Sequence, residues 1–148
     1  MSLKQWADNR WILQHKTSPQ EIADLLAIVE RDLNDAGADI SADGRFGFAY
    51  NAALKLCTIL LYASGYRPEK LSAHHRTITS LPLILGPERK DDADYLDACR
   101  AKRNTADYDM AGVATKQDAT ELVDFTKQLR DDVLDWLKKN HPRLTKGG

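Results

Sequence analysis

Apolar residues recur along this chain at the three- and four-residue spacing of helices, and no segment alternates with the period of a half-buried strand. Ile22, Leu25, Leu26, Val29 and Leu33 form one such face. Ser18, Pro19 and Glu21 precede it in the order of an N-cap, a first-turn proline and a capping-box acid. Gly37 follows it where a left-handed C-cap belongs. A second stripe, Phe46, Ala49, Tyr50, Ala53, Cys57, Leu60 and Leu61, predicts a helix from Ser41 to about Ser64. Gly44 and Gly47 near its start lower helix stability by ~1 kcal/mol each relative to alanine. With Ala49, Ala52 and Ala53 they mark a place where another backbone comes close. Leu71 to Leu85 carries a shorter helical pattern interrupted by Pro82. Tyr95, Leu96 and Cys99 belong to a third long helix from Glu88 to about Thr105. Thr115-Lys116-Gln117-Asp118 resembles a capping box and opens a final helix whose face is Leu122, Phe125, Leu129, Val133, Trp136 and Leu137. Met1 to His15 predicts a short helix carrying Trp6, Trp11 and Leu13. Four long helices joined by short loops imply an all-α antiparallel four-helix bundle of up-down topology. A short N-terminal helix and a short helical connector complete it. Residues 1–148 make one domain, with its core in 18–140 and a polar tail in 141–148.

Composition narrows the class further. The chain has 148 residues, 43% hydrophobic and 29% charged, with a formal net charge of -1. That is enough for a single core, and bulk attraction to nucleic acid is absent, so any such binding needs a local basic patch. No apolar run approaches the ~20 residues of a membrane span, and Met1 to Trp6 lacks a secretory pattern. A cytoplasmic protein with no membrane partner is expected. Cys57 and Cys99 each sit among apolar residues and read as buried thiols. They do not form a zinc motif with the four scattered histidines, so neither a metal nor a cofactor is expected.

Three stretches carry candidate chemistry. Arg103 continues the Tyr95, Leu96 and Cys99 face by one turn, where burying an arginine is costly unless it is paired or faces a wet cleft. Its planar donors suit a phosphate, with Arg100 and Lys102 nearby. Asp107, four residues on, is within reach of it, so an Arg103–Asp107 brace at the bundle end is the competing reading. The second stretch is Ser72 to Arg76. His74 and His75 point about 100° apart on a helix, and with Arg67, Lys70 and Arg76 this is the most basic segment. A polar helix start with one packed histidine is its plain alternative. The third is Arg45 with Tyr50 and Asn51, where a solvated first-turn arginine is the plain alternative. Trp6 and Trp11 are of the type that stacks on bases, although anchoring a short helix or meeting a second copy explains them as well. Phosphate-loop, dinucleotide, nucleophile-elbow and HExxH motifs are all missing.

These blocks together resemble the HEPN superfamily of helical nucleotide-binding domains. Arg45 to Ala53 is similar to its arginine-, aromatic- and alanine-rich helix, and Tyr66 to Leu85 to its histidine-centred connector. Arg103-Asn104-Thr105-Ala106-Asp107-Tyr108-Asp109 is similar to its Arg-x-x-Ala-Asp-Tyr-Asp block. The likeness spans roughly 41–138. It implies a homodimer with the arginine block at the dimer cleft, RNA or a nucleotide as ligand, and a toxin–antitoxin or defence role beside a small nucleotidyltransferase partner. It also implies phosphate contact by Arg103, orientation of Arg103 by Asp107, and stacking or hydrogen bonding by Tyr108. Arg45, Tyr50, His75, Arg76, Arg100 and Asn104 are the further binding candidates. Many relatives are metal-independent endoribonucleases whose arginine is followed four to six residues later by a histidine. This chain has no histidine between Arg103 and His141, so the resemblance supports binding over catalysis. A weak endoribonuclease that borrows His74 or His75, and a structural adaptor in which the arginine block is an internal brace, are the two alternatives.

Overall fold

The structure is a computed structural model that describes residues 1–108 and 110–145, the side chains of 107 and 108 excepted. In chain order the elements are α1 (Leu3–Asp8), β1 (Ile12–Gln14), α2 (Pro19–Ala36), α3 (Ala42–Ala63), β2 (Tyr66–Pro68), α4 (Ala73–Thr79), α5 (Leu81–Leu85), α6 (Lys90–Tyr108) and α7 (Lys116–Asn140). Short 3-10 turns cover Pro87–Arg89 and Pro142–Thr145. The architecture is an all-α bundle with α3 at its centre, packed along α2 and α7 and, over a shorter contact, against α6 and α4.

The centrality of α3 follows from its composition. Ala49, Ala52 and Ala53 are fully buried and let neighbouring helices approach, while Leu56, Ile59, Leu60 and Leu61 fill the space between them. By length and composition this helix alone, among the described residues, would suffice to cross a membrane, but 67% of its most apolar window is buried inside the fold. An all-round apolar helix is what a bundle centre requires, and Lys55 interrupts what would otherwise be a longer apolar run. Cys57 and Cys99 are free and buried.

Helix ends are set largely by side chains. Ser18 accepts from the Glu21 amide at 3.1 Å with Pro19 in the first turn. Thr115 and Asp118 form a reciprocal capping box. Ser41 caps α3 by accepting from the Gly44 amide at 3.0 Å.

Several expectations are corrected. Gly37 is not left-handed: its φ is -87°, and α2 ends in a tightened turn in which the Gly37 and Ala38 amides donate to Asn34 and Asp35. That turn satisfies the last carbonyls without a left-handed residue. Glu21 does not close a capping box on Ser18, because its carboxylate pairs with His15 Nε2 at 2.7 Å. The N-terminal helix stops at Asp8, and Arg10 adopts φ 62°. The chain then enters β1, which pairs antiparallel with β2 through Ile12–Pro68, Leu13–Arg67 and Gln14–Tyr66. Strands were not expected, since three residues are too few to show alternation. The connector is split at Ser80 into α4 and α5, with Pro82 in the first turn of α5. A small second core of Trp6, Ile12 and Leu61 lies beneath the ribbon.

Candidate functional site

On the outer face of α3, Gly47, Asn51 and Lys55 follow one another at four-residue steps and remain partly open to solvent. α4 and α6 pack beside this stripe, and their polar residues complete a site drawn from three helices. Ser72, at φ 57°, turns the chain through a left-handed conformation that non-glycine residues rarely adopt, and α4 begins at the next residue. His75 Nδ1 then lies 3.0 Å from Asp97 Oδ1 on α6, and Arg100 Nε donates to the same oxygen at 2.9 Å. Burial works to raise the Asp97 carboxyl, but the hydrogen bonds from Arg100 and His75 outweigh it and hold the group below the usual carboxylate range. One oxygen thus ties α4 to α6.

His74, one residue earlier, is exposed at the rim. Partial desolvation, and after it the positive charges of Lys55, Arg103 and Arg100, push its pKa below the ordinary histidine value. Lys55 makes no ion pair among the described residues. Four groups that carry or acquire positive charge therefore face one another, with Asp97 as the carboxylate that partly balances them. At neutral pH such a place attracts an anion, and it keeps the His74 imidazole neutral and able to accept a proton.

Tyr50 forms the floor. It is 1% exposed, and the Arg103 guanidinium sits 5.7 Å from its ring centroid, within cation–π range. Burial raises its hydroxyl well above the usual tyrosine value, against the opposing effect of Arg100 and Arg103. The hydroxyl has no hydrogen-bond partner among the described residues. Tyr50 is a neutral platform under Arg103, not an acid.

Arg103 also borders a groove of about 390 Å³ lined by Arg31, Asp32, Asp43, Gly44, Gly47, Phe48 and Asn51. Asp32 is buried at 1% and accepts from Asn51 Nδ2 and, at 3.2 Å, from Arg31 Nε. Phe48 is 38% exposed at the edge. A Cβ at Gly47 meets nothing within 4 Å, whereas one at Gly44 meets the Ile40 and Ser41 side chains, just before α3, at 3.1 Å. Gly47 therefore leaves groove space, and neither glycine lies against another helix backbone, contrary to the expected close approach. Asp43 closes one end by accepting from the Gly112 and Ala114 amides at 2.6 and 2.9 Å, and the Ala114 and Gly112 amides hold its carboxyl low.

No family model, curated protein or solved structure matches this chain.

The candidates named from the sequence divide into two groups. Arg103, Arg100, Tyr50 and His75 converge, and Asn104 is exposed just beyond Arg103. Arg45 is used elsewhere: its Nε donates to Ala36 O at 2.9 Å and caps the end of α2. Arg76 lies 4.0 Å from the Trp11 ring centroid and 5.6 Å from that of Trp6, which anchors α1 and the ribbon to α4. The side chains of Asp107 and Tyr108, and all of Asp109, lie outside the described residues. His74, expected only as a borrowed base in the endoribonuclease alternative, stands at the site, and Lys55 and Asp97 join it without having been expected there. The one signal for Lys55 is a lysine in the middle of an otherwise apolar helix. Among the described residues no three His, Cys, Asp or Glu side chains are placed to hold a metal ion.

Proposed function

We propose that this chain is a HEPN-type bundle that binds RNA or a nucleotide, with a phosphate seated between Arg103, Arg100 and Lys55. The observation that carries the reading is the gathering of these cations with His74 on one open face, where their charges act on His74 in the same direction as its partial desolvation, the larger cause of its lowered pKa. A guanidinium held over a buried ring offers a fixed donor pair to phosphate oxygens. The adjoining groove, with Phe48 at its edge and Asn51 on its floor, supplies a stacking face and polar atoms of the kind that receive a base. Homodimerisation across the arginine block, a small nucleotidyltransferase partner and a toxin–antitoxin or defence role belong to the same proposal and rest on the resemblance.

The test is fluorescence anisotropy of a labelled structured RNA in EDTA across a salt series. Arg103→Ala, with its fold checked by circular dichroism, should weaken binding about tenfold and reduce the salt slope by about one. Unchanged affinity and slope would remove the reading.

A second reading, a weak metal-independent endoribonuclease, is favoured by one observation: a neutral imidazole from α4 stands among the phosphate-type cations of α6 and α3. His74 would accept the proton of the attacking 2′-hydroxyl while Arg103 steadies the phosphate. Cleavage in EDTA that survives His74→Ala and Arg103→Ala would count against it.

A further inference from the structure

At the C-terminal end of α3, about 17 Å from Asn51 by helical rise, lies the largest cavity among those described, about 840 Å³. Its walls are mostly carbon: Pro19 at the start of α2, Tyr62 and Ala63 at the end of α3, and Leu144 of the final 3-10 turn all line it. That volume falls within the ~300–1,000 Å³ typical of small-ligand pockets, which combine apolar walls with a few polar groups. Beside the neutral polar groups of Thr17, Asn140 and His141, the fixed charges described here are of one sign. Among the described residues, Lys16 and Arg143 line the cavity, no carboxylate does, and neither cation makes an ion pair. Glu21, the carboxylate whose charge reaches Tyr62, does not line the cavity and is bonded to His15.

Two helix C-termini, those of α3 and α7, end at this cavity, and their carbonyls disfavour an anion. That effect is muted because the carbonyls are already engaged. Tyr62 O accepts from Thr17 Oγ1 at 2.6 Å and from the Gly65 amide, Leu60 O from Ser64 Oγ at 2.8 Å, and Trp136 O from Asn140 Nδ2 at 3.0 Å. The two flexible cations at the rim are left to decide the sign of the ligand.

We propose that this cavity binds an amphiphilic carboxylate: an apolar tail against Tyr62, Ala63 and Leu144, and its anionic head between Lys16 and Arg143. The site is independent of the Arg103 face and stands whether or not that face binds RNA.

Isothermal titration of the full chain with decanoate, decanol and decylamine tests it. One decanoate should bind per chain, at least tenfold tighter than decanol or decylamine. Lys16→Ala/Arg143→Ala should bring decanoate down to the level of decanol. Both residues are exposed, so the melting temperature of the variant should stay that of the parent. Charge reversal of both cations in Lys16→Glu/Arg143→Glu should raise decylamine above decanoate. Absence of saturable decanoate binding, equal affinity for decylamine, or unchanged affinity in the double variant would each overturn the proposal. Anionic phospholipid vesicles form a further arm: binding to vesicles without binding of free decanoate would replace the pocket by a membrane surface and equally refute it.

Discussion

Tyr50→Phe is expected to stabilise this protein although it removes a polar group from the centre of the site. Tyr50 is 1% exposed and its hydroxyl finds no partner among the described residues. A buried hydroxyl without a hydrogen bond costs about 1–3 kcal/mol. Phenylalanine keeps the ring, the packing against α6 and the Arg103 contact at 5.7 Å, and it discards only the oxygen. The void left by one atom returns part of the gain, so a net stabilisation of about 1 kcal/mol is expected. With 148 residues at ~2.1 cal/mol/K each, the unfolding entropy is about 0.3 kcal/mol/K, and the melting temperature should rise by about 3 °C. Urea unfolding should show a higher midpoint at unchanged slope, which isolates stability from any change in compactness. If the hydroxyl is kept for a ligand, RNA affinity should fall in the same variant while stability rises. A loss of more than about 1 kcal/mol would refute the reasoning, because it would mean that the hydroxyl is satisfied in the folded protein.

Two other outcomes follow from the groove. Gly47→Ala places a methyl where nothing lies within 4 Å, so it should stabilise α3 by about 0.5–1 kcal/mol in a chemical melt. The same methyl intrudes on the groove floor, so nucleotide or RNA affinity should fall, and a rise in both would separate the groove from the ligand. The Asp43 carboxyl is held low by the Ala114 and Gly112 amides, so the stability it contributes is present above the unfolded value, ~3.9, and is lost as pH falls through the lower folded value. By NMR the Gly112 and Ala114 amide shifts should titrate together below ~3.9 and cease to titrate in Asp43→Asn. A midpoint at the ordinary aspartate value would show that the clamp is not formed.

The long helices were legible because each carries an amphipathic or all-apolar face, and in α2 and α7 that face opens on a side-chain cap, Ser18 and Thr115. The ribbon was not, because its two strands are three residues each and meet across more than fifty positions of chain. The site was half legible. Arg103 announces itself as a charge on an apolar stripe, and Tyr50 as part of a core face. That Lys55, His74 and Asp97 join them depends on how α3, α4 and α6 pack, which no local spacing encodes. Arg45 and Arg76 misled for the converse reason. The Ala36 carbonyl, across the turn between α2 and α3, and two tryptophan rings distant in sequence from Arg76 use these cations before any ligand can.

The Asp43 clamp also bears on the order in which the chain assembles. Its two hydrogen bonds close loops of 69 and 71 residues, whereas α2 and α3 meet across a loop of only five residues (37–41). Loop closure costs more entropy as the loop lengthens, so the α2–α3 hairpin has the advantage early and the clamp forms once α6 and α7 have docked. A contact made after the folding transition state leaves the folding rate nearly untouched and acts on the rate of unfolding. Asp43 would then serve as a late latch, governing how long the finished bundle persists and contributing little to how fast it is reached.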